Sequence, residues 1–217
     1  MNIEQARFNM VEQQIRPWDV LDQQVLDLLS RVRREDFVPP AHRALAFVDM
    51  EIPLGHGQRM WTPKLEARVV QELDIRLTDR VLEIGTGSGY LTALLATQTA
   101  EVVSIEIQPD FSAAAARTLH AHGIANVVFH VGDAARGWED AAGFDAIVLT
   151  GSTPLLADGF RRLLRPGGRL FAVTGVSPVM QAQLVTCSEA GAYRSVTLFE
   201  TDLPALVNAP HAAAFVF

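Results

Sequence analysis

Val81-Leu82-Glu83-Ile84-Gly85-Thr86-Gly87-Ser88-Gly89 is the stretch whose reading decides the fold. Val81, Leu82 and Ile84 form a short apolar run of the kind a buried parallel strand requires. Three glycines then alternate with small hydroxyl residues, and an amphipathic helix is predicted from Tyr90 to about Gln98. Strand, glycine loop and helix together bring a ligand against backbone N–H groups at a helix N-terminus. A dinucleotide site asks for G-x-G-x-x-G, its third glycine letting helix pack on strand. Here that glycine falls one residue early, and Tyr90 stands in its place.

Downstream, strands are predicted near 80–84, 102–106, 127–131, 144–149 and 168–173. Helices near 89–98, 109–122 and 154–164 separate them, with a short one around 134–139. This alternation implies a parallel sheet covered on both faces. After 178 the pattern changes: 181–187 and 193–199 read as an antiparallel pair, and Ala213–Phe217 as a final strand. Upstream, residues 1–79 read as helical. Phe8, Val11 and Ile15 mark one stripe ended by Pro17, and Val20, Leu21, Val25, Leu28, Leu29 and Val32 mark a second. Phe37-Val38-Pro39-Pro40 forces an extended break. A third helix carries Leu65, Val69, Val70 and Leu73, with Pro63 suited to its first turn.

The 217 residues are 49% hydrophobic and 20% charged, which suits one globular domain with an added segment. A formal net charge of −7 with no basic tract argues against nucleic-acid binding. No apolar run approaches the roughly 18 residues that span a bilayer, and residues 1–7 lack the features of a secretory leader. The single cysteine, Cys187, fits a reducing compartment, so a cytoplasmic protein without a membrane partner is expected. The six histidines form no cluster with metal-ligand spacing, and no metal is expected.

Open α/β sheets bind ligands beyond the carboxyl ends of their strands. Glu106 ends the second strand, 17 residues after Gly89, where a carboxylate accepts hydrogen bonds from two ribose hydroxyls; alone, it reads better as a solvated acid, and its placement after the glycine loop and helix favours the ligand. Gly132-Asp133-Ala134 follows the third strand. Asp133 suits an adenine amino group, or simply caps the predicted short helix. The pattern E-x-G-x-G-x-G at 83–89 resembles the first motif of class I methyltransferases, which use S-adenosylmethionine and release S-adenosylhomocysteine. The resemblance implies a doubly wound, mostly parallel seven-stranded α/β sheet ending in antiparallel strands, here with an N-terminal helical extension. It implies a cofactor site of Glu83, Gly85, Thr86, Gly87, Ser88, Gly89, Glu106, Ile107, Gly132, Asp133 and Ala134, with Glu83 near the methionine part. Residues 1–79 then form the extension and a substrate-side loop, and 80–217 the cofactor-binding domain, in one compact unit.

Met10-Val-Glu-Gln-Gln-Ile15, Arg34-Glu-Asp-Phe-Val-Pro39, Pro53-Leu-Gly-His-Gly-Gln58, Phe144-Asp-Ala-Ile-Val-Leu-Thr150 and Leu164-Arg-Pro-Gly-Gly-Arg-Leu170 narrow this further. With Gly132-Asp133 and Gly137-Trp138, they resemble protein-L-isoaspartate O-methyltransferases from about residue 5 to about 206. The expected acceptor is the carboxylate of an isoaspartyl protein or peptide. That group is ionised at pH 7 and needs no general base. The chain departs from the family after Gln58. The family reads Thr-Ile-Ser-x-Pro, its serine held to be important; here Arg59-Met-Trp61-Thr62-Pro63 follows. Trp61 takes the serine position, and fills part of the substrate pocket or turns its indole into an apolar wall. Thr62 is the candidate catalytic hydroxyl. Gln58, Arg59, Trp61, Lys64 and Ser152 are candidate substrate contacts. Lys64 and Arg68 share a helical face, reading either as an anion site or as a solvated surface with Glu66 and Glu72. Ser152 or Thr153 is alternatively a cap for helix 154–164. Beside the repair reading stand a small anionic (carboxylate) acceptor, a non-catalytic cofactor-binding protein and, more distantly, an NAD enzyme.

Overall fold

The computed structural model describes residues 2–211. Helix α1 (Ile3–Met10) starts at Asn2, whose side chain accepts the Gln5 N–H, and continues through a wide turn at Val11–Ile15 into a tight turn at Arg16–Trp18. Its buried face is Arg7, Met10, Val11 and Ile15, and Phe8 is 60% exposed, contrary to the expected stripe. Both sets have helical spacing. The face with Arg7 goes inward because buried Glu35 pairs with its guanidinium. Helix α2 (Gln23–Arg31) is capped by Asp22 and buries Val25, Leu26, Leu28 and Leu29.

Strands β1 (Ile52–Gly55) and β2 (Gln58–Met60) form a hairpin where the sequence predicts a loop. His56 and Gly57 at its tip both have positive φ, as a twist-matched two-residue turn requires. Helix α3 (Pro63–Leu73) follows, with Pro63 in its first turn.

The main sheet contains β3 (Arg80–Ile84), β4 (Glu101–Glu106), β5 (Val127–Val131), β6 (Phe144–Thr153), β7 (Leu164–Val176), β8 (Val179–Glu189) and β9 (Ala192–Thr201). Their order is β5-β4-β3-β6-β7-β8-β9, parallel as far as β7 and antiparallel at β8 and β9. Helices α4 (Tyr90–Ala96), α5 (Pro109–Ala121) and α6 (Asp158–Arg162) lie between strands. Alternation along β3 sends Val81 to one core and Leu82 to the other. The Val81 core is shared with Met10, Ile15, Leu28 and Leu73, so the helical N-terminal segment covers that face.

Two expectations change. Residues 134–139 form a turn rather than a helix: Asp133 Oδ1 accepts the Ala135 N–H as a cap would, but Gly137 at φ 126° turns the chain out of helical conformation. The helix expected over 154–164 shrinks to α6, because β6 runs on to Thr153. The chain returning at 204–206 extends it, with Ser152 N–H donating to Pro204 O and Leu206 N–H to Ser152 O. The strand expected at Ala213–Phe217 lies outside the described residues. Among those described, no helix is long and apolar enough to cross a membrane.

Candidate functional site

Strand β3 has β4 on one side and β6 on the other, so chain order reverses there and a crevice opens at the carboxyl edge. A cleft of about 610 Å³ occupies it, lined by residues at or just beyond the carboxyl ends of β3, β4 and β5 and by Thr150 and Gly151 in the last part of β6. Gly85 has φ 97°, and a Cβ there would lie 2.2 Å from Thr150 Oγ1. That hydroxyl donates to the carbonyls of Ile84 (2.9 Å) and Gly85 (2.7 Å), tying the loop to β6. Gly89 does not line the cleft. A Cβ on it would approach Ala115 Cβ at 2.8 Å, so this glycine lets α5 pack against the loop. Tyr90, where a dinucleotide loop would have glycine, is buried with its ring 5.5 Å from Phe37 and 5.6 Å from the Arg34 guanidinium.

Glu106 is buried, and its two carboxylate oxygens accept the Gly87 and Gln108 N–H groups, each at 2.9 Å. Each oxygen keeps a lone pair for a further donor in the cleft. Asp133 accepts from Ala135 N–H at 3.0 Å and from Asn208 Nδ2 at 2.8 Å. Ile105, Ile107, Phe111, Ala134 and Leu206 supply apolar wall between these acids. Leu206 and Val207, on the returning C-terminal segment, carried no motif and went unread.

Glu83 lies beneath the loop and lines neither this cleft nor the neighbouring one. It is fully buried, and its Oε2 accepts the Thr92 and Ser104 hydroxyls at 2.6 Å each. Ser104 Oγ in turn meets Thr86 Oγ1 at 2.6 Å, which connects the acid to the glycine loop. Burial pushes the carboxyl up to about 8, outweighing the two hydroxyls, which pull it down. The folded state therefore holds this proton more tightly than an ordinary glutamate does. The stability it confers is complete below the ordinary value and is lost as pH rises through about 8. Thermal melts of Glu83→Gln are expected to fall less steeply than wild type between about pH 5 and about pH 8. Parallel curves would show the carboxyl to be ionised throughout.

A second cleft of about 340 Å³ adjoins the first and shares Leu54, Arg59, Gly85, Gly87 and Thr150 with it. Trp61 lines it from a position 6% exposed, its indole packed edge-on to Phe171 at 6.3 Å. The indole thus turns into an apolar wall, as one of the two expectations had it, while also bordering the cleft. Arg59 borders both clefts while donating to Glu51 at 3.1 Å, and Gln58 borders the larger one. Thr86 and Ser88 line the smaller cleft. Thr62 stands at the start of α3 and lines neither. Lys64 donates to Asp49 at 2.7 Å, and Arg68 donates to Glu72 at 2.6 Å and to Trp18 O at 3.1 Å, all away from both clefts. Ser152 is fully buried, donates to Leu203 O at 2.8 Å, and caps no helix.

Glu66 is the functional candidate that sequence reading placed wrongly. Set among charged neighbours, it looked like part of a solvated face, yet it is 2% exposed and lines the second cleft. Its Oε2 accepts from Arg34 Nε at 2.9 Å. The overlooked signal was its spacing: Glu66 precedes Val69, Val70 and Leu73 by three, four and seven positions, on the apolar stripe of α3.

The larger cleft fits an adenosine-bearing ligand. Glu106 offers free lone pairs for a vicinal diol, Asp133 offers an acceptor beyond it, and the walls between are apolar. Among the described residues no group of three or more His, Cys, Asp or Glu side chains is placed to hold a metal.

Comparison with known proteins agrees with this geometry. The profile of the family described as Protein-L-isoaspartate(D-aspartate) O-methyltransferase (PCMT) matches residues 5–198. A protein-L-isoaspartate O-methyltransferase of Myxococcus xanthus (strain DK1622) is 41% identical over 156 residues, 72% of this chain and 74% of that protein. One from Methanoculleus marisnigri (strain ATCC 35101 / DSM 1498 / JR1) is 41% identical over 169 residues, 78% of this chain and 77% of that protein. In fold, the chain is similar to a Plasmodium falciparum structure assigned to the same enzyme type and solved with S-adenosyl-L-homocysteine. The TM-score is 0.77 at 18% identity, covering 95% of this chain and 98% of that one. The seven-stranded sheet is thus the class I methyltransferase sheet, and the chain belongs to the protein-L-isoaspartate(D-aspartate) O-methyltransferase family of S-adenosylmethionine-dependent enzymes.

Proposed function

We propose that this protein transfers a methyl group from S-adenosylmethionine to the carboxylate of isoaspartyl residues in proteins or peptides. The observation that carries the reading is the crevice at β3, where Glu106 and Asp133 stand at successive strand ends beside a glycine loop pinned by Thr150. Family membership supports the same assignment. The cofactor, when bound, supplies an electrophilic methyl group. Glu106 and Asp133 would hold its nucleoside, and Gly85 and Gly87 would let it approach the backbone.

The acceptor carboxylate is ionised at neutral pH, so the chain need not supply a base. What it must do is position the two charges and keep water out, because opposite charges cancel as the methyl moves. Leu54, Met60 and Trp61 make the wall on the acceptor side apolar. Arg59 at the shared rim keeps N–H groups beyond the one given to Glu51, and these suit an incoming carboxylate. A buried lone cysteine suits a reducing setting such as the cytoplasm.

The test is incubation with an isoaspartyl peptide and methyl-labelled cofactor, expected to yield a base-labile methyl ester. Cofactor binding without ester formation would overturn the acceptor assignment and leave the cofactor assignment standing. A second reading, a small free carboxylate as acceptor, is favoured by one observation: Trp61 closes the position where the family has serine, and Thr62 does not face the cleft. Small carboxylates methylated faster than the peptide at equal concentration would select it.

A further inference from the structure

We propose that Glu66 binds the α-ammonium group at the amino-acid end of the cofactor. The proposal rests on the cofactor reading above and assigns a residue to the half of that ligand which Glu106 and Asp133 leave unattended. An S-adenosylmethionine or S-adenosylhomocysteine molecule is a nucleoside joined through sulfur to a zwitterionic amino acid. The two clefts match this division. The larger holds the acids suited to ribose and adenine, and the smaller opens from it past Gly85 and Gly87. Glu66 is the anionic side chain lining the smaller cleft, and Arg59 is the cationic one at its rim. The α-ammonium of the amino acid needs such an anion.

Glu66 is built for a ligand. Its side chain is almost wholly buried, Oε2 is taken by Arg34, and among the described residues no group donates to Oε1. Arg34 cannot swing away, because it also donates to Ala46 O and Trp61 O, each at 2.6 Å. Oε1 is left facing the cleft that Glu66 lines, so it is free to accept a hydrogen bond from a bound group. The charged and titratable groups around it are Arg34 beside it, the Tyr90 phenol on α4, Glu35 and Arg7 behind that ring, and Arg59 on β2. Burial pushes the Glu66 carboxyl up to about 7, against the pull of Arg34. An ammonium partner favours the ionised form, so S-adenosylhomocysteine should bind more tightly as pH rises from about 6 to about 7.5.

The experiment is calorimetric titration of wild type and Glu66→Gln with two probes, S-adenosylhomocysteine and 5′-methylthioadenosine. The second has the nucleoside and sulfur but no amino acid. Glu66→Gln is expected to weaken S-adenosylhomocysteine by about 10- to 100-fold, the value of a charged hydrogen bond. Binding of 5′-methylthioadenosine should stay within about twofold, and the rise with pH should vanish in the variant. Equal losses for both probes, or none for either, would overturn the proposal. Should the variant not fold, wild type decides alone: a pH dependence common to both probes, or absent from both, rejects it. No binding of S-adenosylhomocysteine by wild type would instead reject the cofactor reading, and this proposal with it.

Discussion

Arg34→Ala is expected to destabilise the protein by about 3–5 kcal/mol, the cost of removing one member of a buried ion pair. Arg34 is 1% exposed and bonds Glu66, Ala46 O and Trp61 O at once, so it joins the turn at 34–36 to the segment before β1 and to the start of α3. Its guanidinium also lies over the Tyr90 ring at 5.6 Å. Truncation leaves the buried Glu66 carboxylate and two carbonyls without their donor. Protonation relieves the first of these, so the loss should be greater at about pH 8 than at about pH 5, on either side of the raised Glu66 value. Urea unfolding at both pH values measures it. Replacing Arg34 and Glu66 together by methionine should recover much of the loss, since no charge is then left unpaired. A single-variant effect below about 1 kcal/mol, the scale of an exposed pair, would mean that water reaches the site.

Glu106→Ala should reduce affinity for S-adenosylhomocysteine by about 100-fold or more. Two hydrogen bonds to a charged acceptor are worth about 1.5–3 kcal/mol each. The same change releases the Gly87 and Gln108 N–H groups, so the glycine loop loses its tie to the end of β4. Glu106→Gln, which retains one acceptor oxygen, should fall between alanine and wild type. Titration calorimetry reads both, and circular dichroism checks that the sheet persists. Affinity within about threefold of wild type in the alanine variant would place the diol elsewhere in the cleft, because even one such bond is worth more than that.

The alternation from residue 80 onward was legible because each strand is a short apolar run set off by turn residues. The glycine loop, Glu106 and Asp133 were legible because they follow such runs. What could not be read depended on residues distant in the chain. β6 continues through Ser152 and Thr153, rather than yielding to a helix, because residues 204–206 return to bond there. Arg7 displaces Phe8 from the interior because Glu35, 28 residues on, neutralises it. Glu83 reads as a cofactor contact by motif, yet it is held under the loop by Ser104 and Thr92.

The sequence by itself determined the sheet, its antiparallel ending, the cofactor and the family. Those features rest on local patterns of burial and turn chemistry, which a strand or loop carries within a few residues. Only the tertiary structure decided which side chains between residues 58 and 68 reach the two clefts. It turned Trp61 onto Phe171, left Thr62 outside the cleft, tied Lys64 to Asp49 and drew Glu66 inward on Arg34. The physical reason is that a charged side chain is solvated unless a partner accompanies it into the core. For Glu66 that partner is Arg34, 32 residues earlier, which no local pattern around α3 could supply.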